Sequence, residues 1–276
     1  MSVTQARKLL GRAGLSAVSL ALLLAACQSS SIYGNVDNSP ASAANIESLS
    51  AVIEANPSDA AAYNTRGIAY GRAGRFDEAI ADFDTALRID AYSYQAYANR
   101  ALVRRRKGDL SGAITDYDTA LRIKPDYTVA LVGRGNTYSQ QGQSTLALAD
   151  FDAAIRIDSS DARAYHARGL IYQGQGRHDL AIEDFAQAIG LDPNAAEPYI
   201  ARGISYLAIN DPKAALSDLS DAVNRDSRSA IAWANLGAAY EALGRTNDAR
   251  RAYNRALGLD SGNKLAREGV GRLDRG

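Results

Sequence analysis

A single cysteine, Cys27, among 276 residues leaves no disulfide within the chain, so stability has to come from packing. Histidine is almost as scarce. His166 and His178 are the only two, and no nearby pattern offers convergent metal ligands or a paired base. An excess of one charge is also missing: Lys and Arg number 31, as do Asp and Glu. Removing Arg7, Lys8 and Arg12 with an N-terminal leader leaves 28 basic residues against 31 acidic, a net charge near −3. That balance excludes a general nucleic-acid binder, which needs a broad basic surface to release counterions. No residue constellation supports an enzyme, and none calls for a cofactor. The apolar run from Ala13 to Ala26 is too short to cross a bilayer comfortably.

That run follows the three basic residues and reads as a secretory signal over residues 1–26. It ends Leu24-Ala25-Ala26-Cys27, which resembles the bacterial lipobox. Small residues there fit a signal peptidase, and the cysteine thiol takes a diacylglycerol before cleavage. An ordinary A-x-A cleavage site with an incidental cysteine is the competing reading. The sole cysteine of an exported chain standing at that place favours lipidation. Acyl chains on Cys27 would then anchor the chain to a membrane, and Gln28, where Asp would retain it at the inner membrane, favours the outer one. Residues 27–42 are polar and aperiodic, a flexible tether reaching about 50 Å if extended.

What the chain does have is a strict period. Reading units as 60–93, 94–127, 128–161, 162–195, 196–229 and 230–263 requires no gap. Position 8 is Gly67, Ala101, Gly135, Gly169, Gly203 and Gly237. Position 20 is alanine throughout, from Ala79 to Ala249, and so is position 27, from Ala86 to Ala256. Position 24 is Phe83, Tyr117, Phe151, Phe185, Leu219 and Tyr253. Positions 4, 7, 8 and 11 share one face of a first helix at 3.6 residues per turn. Position 15 is Gly74, Gly108, Gly142, Gly176, Asn210 and Gly244, a helix stop that wants a left-handed residue. Large rings at 4, 11 and 24 against small residues at 8, 20 and 27 let two antiparallel helices approach closely. A period of this length marks a solenoid whose units bury their apolar faces by stacking.

These motifs make the chain similar to the tetratricopeptide repeat (TPR) family over about three quarters of its length. The resemblance implies an all-α, right-handed superhelix of antiparallel helix pairs, with a concave groove used for protein or peptide ligands. It also implies a lone capping helix over 43–59, carrying Ile46, Leu49, Val52 and Ile53, and a C-terminal capping helix over 264–276. The family's proline at position 32 occurs only as Pro125 and Pro193. Its carboxylate clamp of Lys, Asn and Arg at positions 5 and 9 is missing. In build the chain is similar to outer-membrane TPR lipoproteins of the NlpI type. This implies an adaptor for peptidoglycan hydrolases or proteases in envelope maintenance. The alternative is an accessory or pilotin-type lipoprotein of a pilus or secretion apparatus.

Two charge patterns stand out. Asp82-Phe83-Asp84, Asp116-Tyr117-Asp118 and Asp150-Phe151-Asp152 look like D-x-D metal motifs. On a helix, however, residues i and i+2 diverge, so metal binding is not expected. Position 23 is Asp82, Asp116, Asp150, Asp184 and Asp218, then Ala252; position 7 is Arg66, Arg100, Arg134, Arg168 and Arg202, then Leu236. The charges arrive and depart together, which predicts one salt bridge within each of the first five repeats.

Positions 2, 5, 9, 12 and 13 point away from the packed face, toward the groove. The partner-binding candidates there are Asn64, Arg72, Gln95, Arg105, Arg106, Asn136, Ser139, Gln140, Arg163, His166 and Gln173. Ile68, Leu102 and Leu170 add apolar contact. The run Arg104-Arg105-Arg106-Lys107 is most simply a solvated helix end, or alternatively a basic spot for an acidic partner. As surface residues, Arg105 and Arg106 are expected to tolerate charge reversal without loss of stability.

Overall fold

The computed structural model describes residues 40–275, with side chains from residue 45. Among the described residues are 14 helices and no strand. After α1 (Pro40–Ala55) come six pairs: α2 (Ala60–Arg72) with α3 (Phe76–Ile89), α4 (Tyr94–Lys107) with α5 (Leu110–Ile123), and α6 (Thr128–Gln140) with α7 (Ser144–Ile157). They continue as α8 (Ala162–Gly174) with α9 (His178–Leu191), α10 (Glu197–Ala208) with α11 (Pro212–Arg225), and α12 (Ala230–Ala242) with α13 (Thr246–Leu259). α14 (Lys264–Leu273) closes the stack. Each pair fills one 34-residue unit, and the architecture is an all-α repeat superhelix.

Local chemistry sets the helix ends. Asp59 Oδ1 accepts from the backbone N–H groups of Ala61 and Ala62 at 2.9 and 3.1 Å. Ser93, Asp109, Asp161, Asp211, Ser229 and Asn263 cap their helices in the same manner, each cap contributing about 0.5–2 kcal/mol. The first helix of every repeat stops at position 15, where all six residues have positive φ, including Asn210 at 62°. Asparagine visits that region more readily than other non-glycine residues because its short polar side chain can hydrogen-bond locally.

Within a pair, the aromatic or leucine at position 24 lies on the bare backbone of position 8. A methyl on Gly67, Gly135 or Gly169 would sit 2.7 Å from the ring of Phe83, Phe151 or Phe185. Contacts that close force repacking at a cost of about 1–3 kcal/mol. Repeat 2 solves the problem differently. Ala101 occupies position 8, and the Tyr117 ring instead reaches forward to Gly133 of the next repeat, where a methyl would meet its hydroxyl at 2.5 Å.

The apolar core is a string of clusters, one across repeats 2 to 4 (Ala98 through Ile171) and another across repeats 5 and 6 (Tyr199 through Ala252). First helices of successive repeats touch one another as well as their own partners, in the series α2, α4, α6, α8, α10, α12, α14. They therefore form the inner layer of the curve, with the second helices outside.

The ends depart from expectation in detail. α1 begins at Pro40, so residues 40–42, read from sequence as tether, are helical; proline is at home in a first turn, where its missing N–H is not needed. Ile46 and Ile53 are buried, whereas Val52, expected on the capping face, is 49% exposed. A helix face holds residues spaced by three and four, which admits Ile46, Leu49 and Ile53 and turns Val52 outward. In α14, Gly269 receives the Tyr253 ring, so a residue that lowers helix propensity is required by packing.

Candidate functional site

The inner layer is held by a ladder of bidentate ion pairs. Nε and Nη2 of Arg66, Arg100, Arg134, Arg168 and Arg202 donate to Asp82, Asp116, Asp150, Asp184 and Asp218 at 2.6–2.9 Å. All five aspartates are buried. Hydrogen bonds to Asp150 and Asp184 hold the Arg134 and Arg168 guanidinium pKa values above their ordinary range, against the opposing effect of burial. Tyrosines at positions 4 and 11 stack beside the arginines: the Arg66 guanidinium lies 5.7 Å from the ring centres of both Tyr63 and Tyr70.

The remaining guanidinium nitrogen reaches backward across the repeat boundary. Nη1 of Arg100, Arg134 and Arg168 donates to Asp84, Asp118 and Asp152 of the preceding repeat at 2.5, 2.6 and 2.6 Å. Each D-x-D triplet thus divides its carboxylates, position 23 serving its own repeat and position 25 the next. The capping helix takes part as well: Arg66 Nη1 donates to Ser50 Oγ at 3.0 Å, and residue 50 falls at position 25 when the 34-residue register is continued backward. Sequence reasoning missed this second set, because it looked for partners within one repeat, where the position-25 carboxylate diverges from its position-23 neighbour and has none. The available signal was that Asp84, Asp118 and Asp152 each precede an arginine at position 7 of the following repeat.

The groove candidates divide into three groups. Asn64, Asn136 and Ser139 are half-buried on the inner helices, while Gln95, Gln140 and Arg72 are exposed. Asn64 Oδ1 accepts from Asn99 Nδ2 at 3.1 Å, joining repeats 1 and 2.

Arg163 is exposed but held by its own helix cap, donating through Nε and Nη2 to Asp161 at 2.8 and 2.7 Å. His166 lies against Phe185 with ring centres 5.7 Å apart, and burial pushes its pKa down to about 4. It is a neutral groove wall.

Two of the three position-12 candidates contradict the groove assignment. Arg105 is only 7% exposed and hydrogen-bonds the buried Tyr117 hydroxyl, whose pKa burial pushes up to about 12. Gln173 is buried, its Nε2 donating to the Ala201 carbonyl at 2.7 Å and Ser205 Oγ at 2.8 Å in the next repeat. Arg105 thus ties the two helices of its own repeat and Gln173 latches repeat 4 to repeat 5, and neither lines an open surface. The basic run is likewise engaged. Arg104 Nη1 stands 3.0 Å from Asp116 Oδ2, Arg106 Nη1 donates to the Gly71 carbonyl at 3.3 Å, and Lys107 pairs with Asp77.

At the far end Tyr253 donates to Glu241 Oε2 at 2.5 Å, and Glu241 accepts two hydrogen bonds from Arg272 at 2.8 Å, which pins α14. Among the described residues no group of three His, Cys, Asp or Glu side chains could hold a metal ion, and no helix is long and apolar enough to cross a membrane. Cys27 lies outside the described residues.

A curved stack of helix pairs with an inner layer of side chains defines a repeat-built protein-binding scaffold. The family comparison agrees. Tetratricopeptide repeat profiles match residues 43–94, 64–128, 162–195 and 200–264, and a TPR repeat profile matches 135–176. The chain belongs to the tetratricopeptide repeat family, a family of protein–protein interaction scaffolds. No curated protein matches it.

Among solved structures it is similar to a chain of the APC/C hetero-tetramer Cut9–Hcn1 (TM-score 0.75, 18% identity), covering 85% of this chain and 46% of that one. It is also similar to Pseudomonas aeruginosa pilF (TM-score 0.70, 18% identity, 77% and 97% covered). A third likeness is to YrrB, described as a TPR protein with an unusual peptide-binding site (TM-score 0.50, 24% identity, 68% and 96% covered). At these identities the likeness is one of fold, and the chain spans less than half the length of the first.

Proposed function

We propose that this chain is a lipid-anchored scaffold of the bacterial cell envelope, held at the outer membrane through Cys27 and capturing protein partners in its concave groove. Facing the periplasm, it would bring enzymes of envelope maintenance, such as peptidoglycan hydrolases or proteases, to one place. The observation that carries this reading is the conjunction of a leader ending Leu24-Ala25-Ala26-Cys27 with an unbroken six-repeat groove on a single chain. The likeness to YrrB supports peptide capture as the mode. A second reading, an accessory lipoprotein of a pilus or secretion apparatus, is favoured by the likeness to pilF.

The test is fractionation of cells expressing the chain or its Cys27→Ser variant, with crosslinking in intact cells and mass spectrometry of the captured proteins. Wild type in the membrane fraction and the variant as unprocessed precursor or soluble protein is the expected result. A variant that is processed and fractionates like the wild type would overturn the anchor. Wall enzymes or pilus components among the crosslinked partners decide between the two readings.

A further inference from the structure

Resting on the groove reading above, we propose that the groove is split in chemistry and takes a single peptide of two parts: an acidic, extended segment on repeats 1 to 3 and an apolar segment on repeats 4 to 6. The inner positions 2, 5, 9 and 13 of the first three repeats contain no acidic residue. Arg72 and Arg106 occupy the same register in adjacent repeats. Arg106, half-buried, is braced by the Gly71 carbonyl and by the Phe76 ring, 5.7 Å away, so its cation is held with little rotamer entropy left to lose. The Asn64–Asn99 pair and Asn136 bring carboxamides, which both donate and accept and so suit the backbone of an extended peptide.

Beyond repeat 3 the arginine pair and the carboxamides end, while the apolar lining already present at Ile68 and Val129 continues. Leu170, Ile200 and Ile204 are half-buried there, Ala208 is exposed, and Ile231 is 49% exposed. At the same four positions of repeats 4 to 6 the only charged residues are Arg163, bound to Asp161, and the exposed Glu197. Cations at one end and apolar side chains at the other fit one occupant that is acidic at one end and apolar at the other. Packed helices lie about 8–10 Å apart. The six inner helices therefore span about 45 Å, the length of roughly 14 extended residues.

The probe is a fluorescein-labelled 16-residue peptide with four Asp and Glu residues in one half and Leu, Ile and Ala in the other. Each half is also made alone. Binding to the full chain is followed by fluorescence anisotropy at low and physiological salt, with circular dichroism melts of every variant. Arg72→Glu/Arg106→Glu should weaken the composite peptide at least tenfold, flatten its salt dependence and abolish binding of the acidic half. Arg72→Gln/Arg106→Gln should give the same pattern more mildly, and it serves if the reversed pair alters the fold. Ile231→Asp should weaken the composite peptide and the apolar half and leave the acidic half unchanged.

Absence of saturable binding by the composite peptide overturns the proposal, as does binding sensitive to Ile231→Asp but indifferent to both arginine variants; the groove itself then stands. Binding indifferent to all of these substitutions removes the groove reading too.

Discussion

Repeats 1 to 4 and repeats 5 and 6 share one topology but are joined by different chemistry. In the first group every position-7 arginine from Arg100 to Arg168 takes two carboxylates, one from its own repeat and one from the repeat before. Arg202 keeps only Asp218, because position 25 of repeat 4 is Ala186. Repeat 6 has no ion pair at this level, with Leu236 and Ala252 buried in its place. The boundaries near repeat 5 are closed by other means. Gln173 bridges repeats 4 and 5, and Arg225 stacks on Tyr199 at 4.0 Å while donating to the Pro193 carbonyl at 2.6 Å. A stack can therefore be stitched by ions or by apolar and neutral polar contacts. Buried ion pairs often do no better for stability than apolar residues of similar volume, so the expected gain from these charges lies in the position-25 arm, which crosses each boundary and orients one repeat on the next.

The sharpest way to break this comparison is at its centre. Arg134→Leu strands the buried Asp150 and should cost about 3–5 kcal/mol, measured by urea denaturation. Asp150→Ala should cost less, since Arg134 keeps Asp118. The double variant, which copies Leu236 and Ala252, should recover much of the loss; additive single effects would deny the coupling.

Arg105 and Arg106 form the next contrast. Arg105→Glu places a carboxylate in the seam beside the Tyr117 hydroxyl and should destabilise by about 3 kcal/mol. Arg106→Glu should shift stability by about 0.5 kcal/mol.

His166, where the groove lining changes, gives a pH test. Its folded pKa, about 4, lies below the ordinary imidazole value of 6.5, so below pH 6.5 the unfolded chain binds more protons and stability falls as pH drops toward 4. The His166-dependent loss should be on the order of 1–3 kcal/mol, seen as a steeper acid-side fall in stability for wild type than for His166→Leu. Parallel profiles would contradict it. The smallest effect sharpens the comparison instead. Ala186→Asp supplies the carboxylate that Arg202 lacks and should add about 0.2–1 kcal/mol, whereas Asp118→Ala should lose a similar amount.

Much of this was legible from residues alone, and the exceptions have physical causes. Helix pairing, the left-handed stops at position 15 and the pairing of positions 7 and 23 follow from recurrence in one chain, because each repeat acts as an internal comparison for the others. The contact of Tyr117 with Gly133 crosses a repeat boundary and compensates Ala101, and a column-by-column reading within repeats does not connect those three columns. Position 12 was misplaced for a related reason. A helical wheel separates packed from open faces on an isolated helix, and Arg105 meets Tyr117 of the paired helix, and Gln173 meets Ala201 and Ser205 of the next first helix, only once the helices are assembled. Gly71 at the same position, with Val103 of the next repeat 3.1 Å from where its methyl would lie, was the available hint that this column is crowded.

The claim that carboxylates at position 25 stitch the first four repeats is tested most directly by native-state hydrogen exchange on wild type and the Asp84→Ala/Asp118→Ala/Asp152→Ala variant. The account predicts lowered protection in α3 to α9 and little change in α11 to α14. Equal loss along the whole stack, or none anywhere, would contradict it.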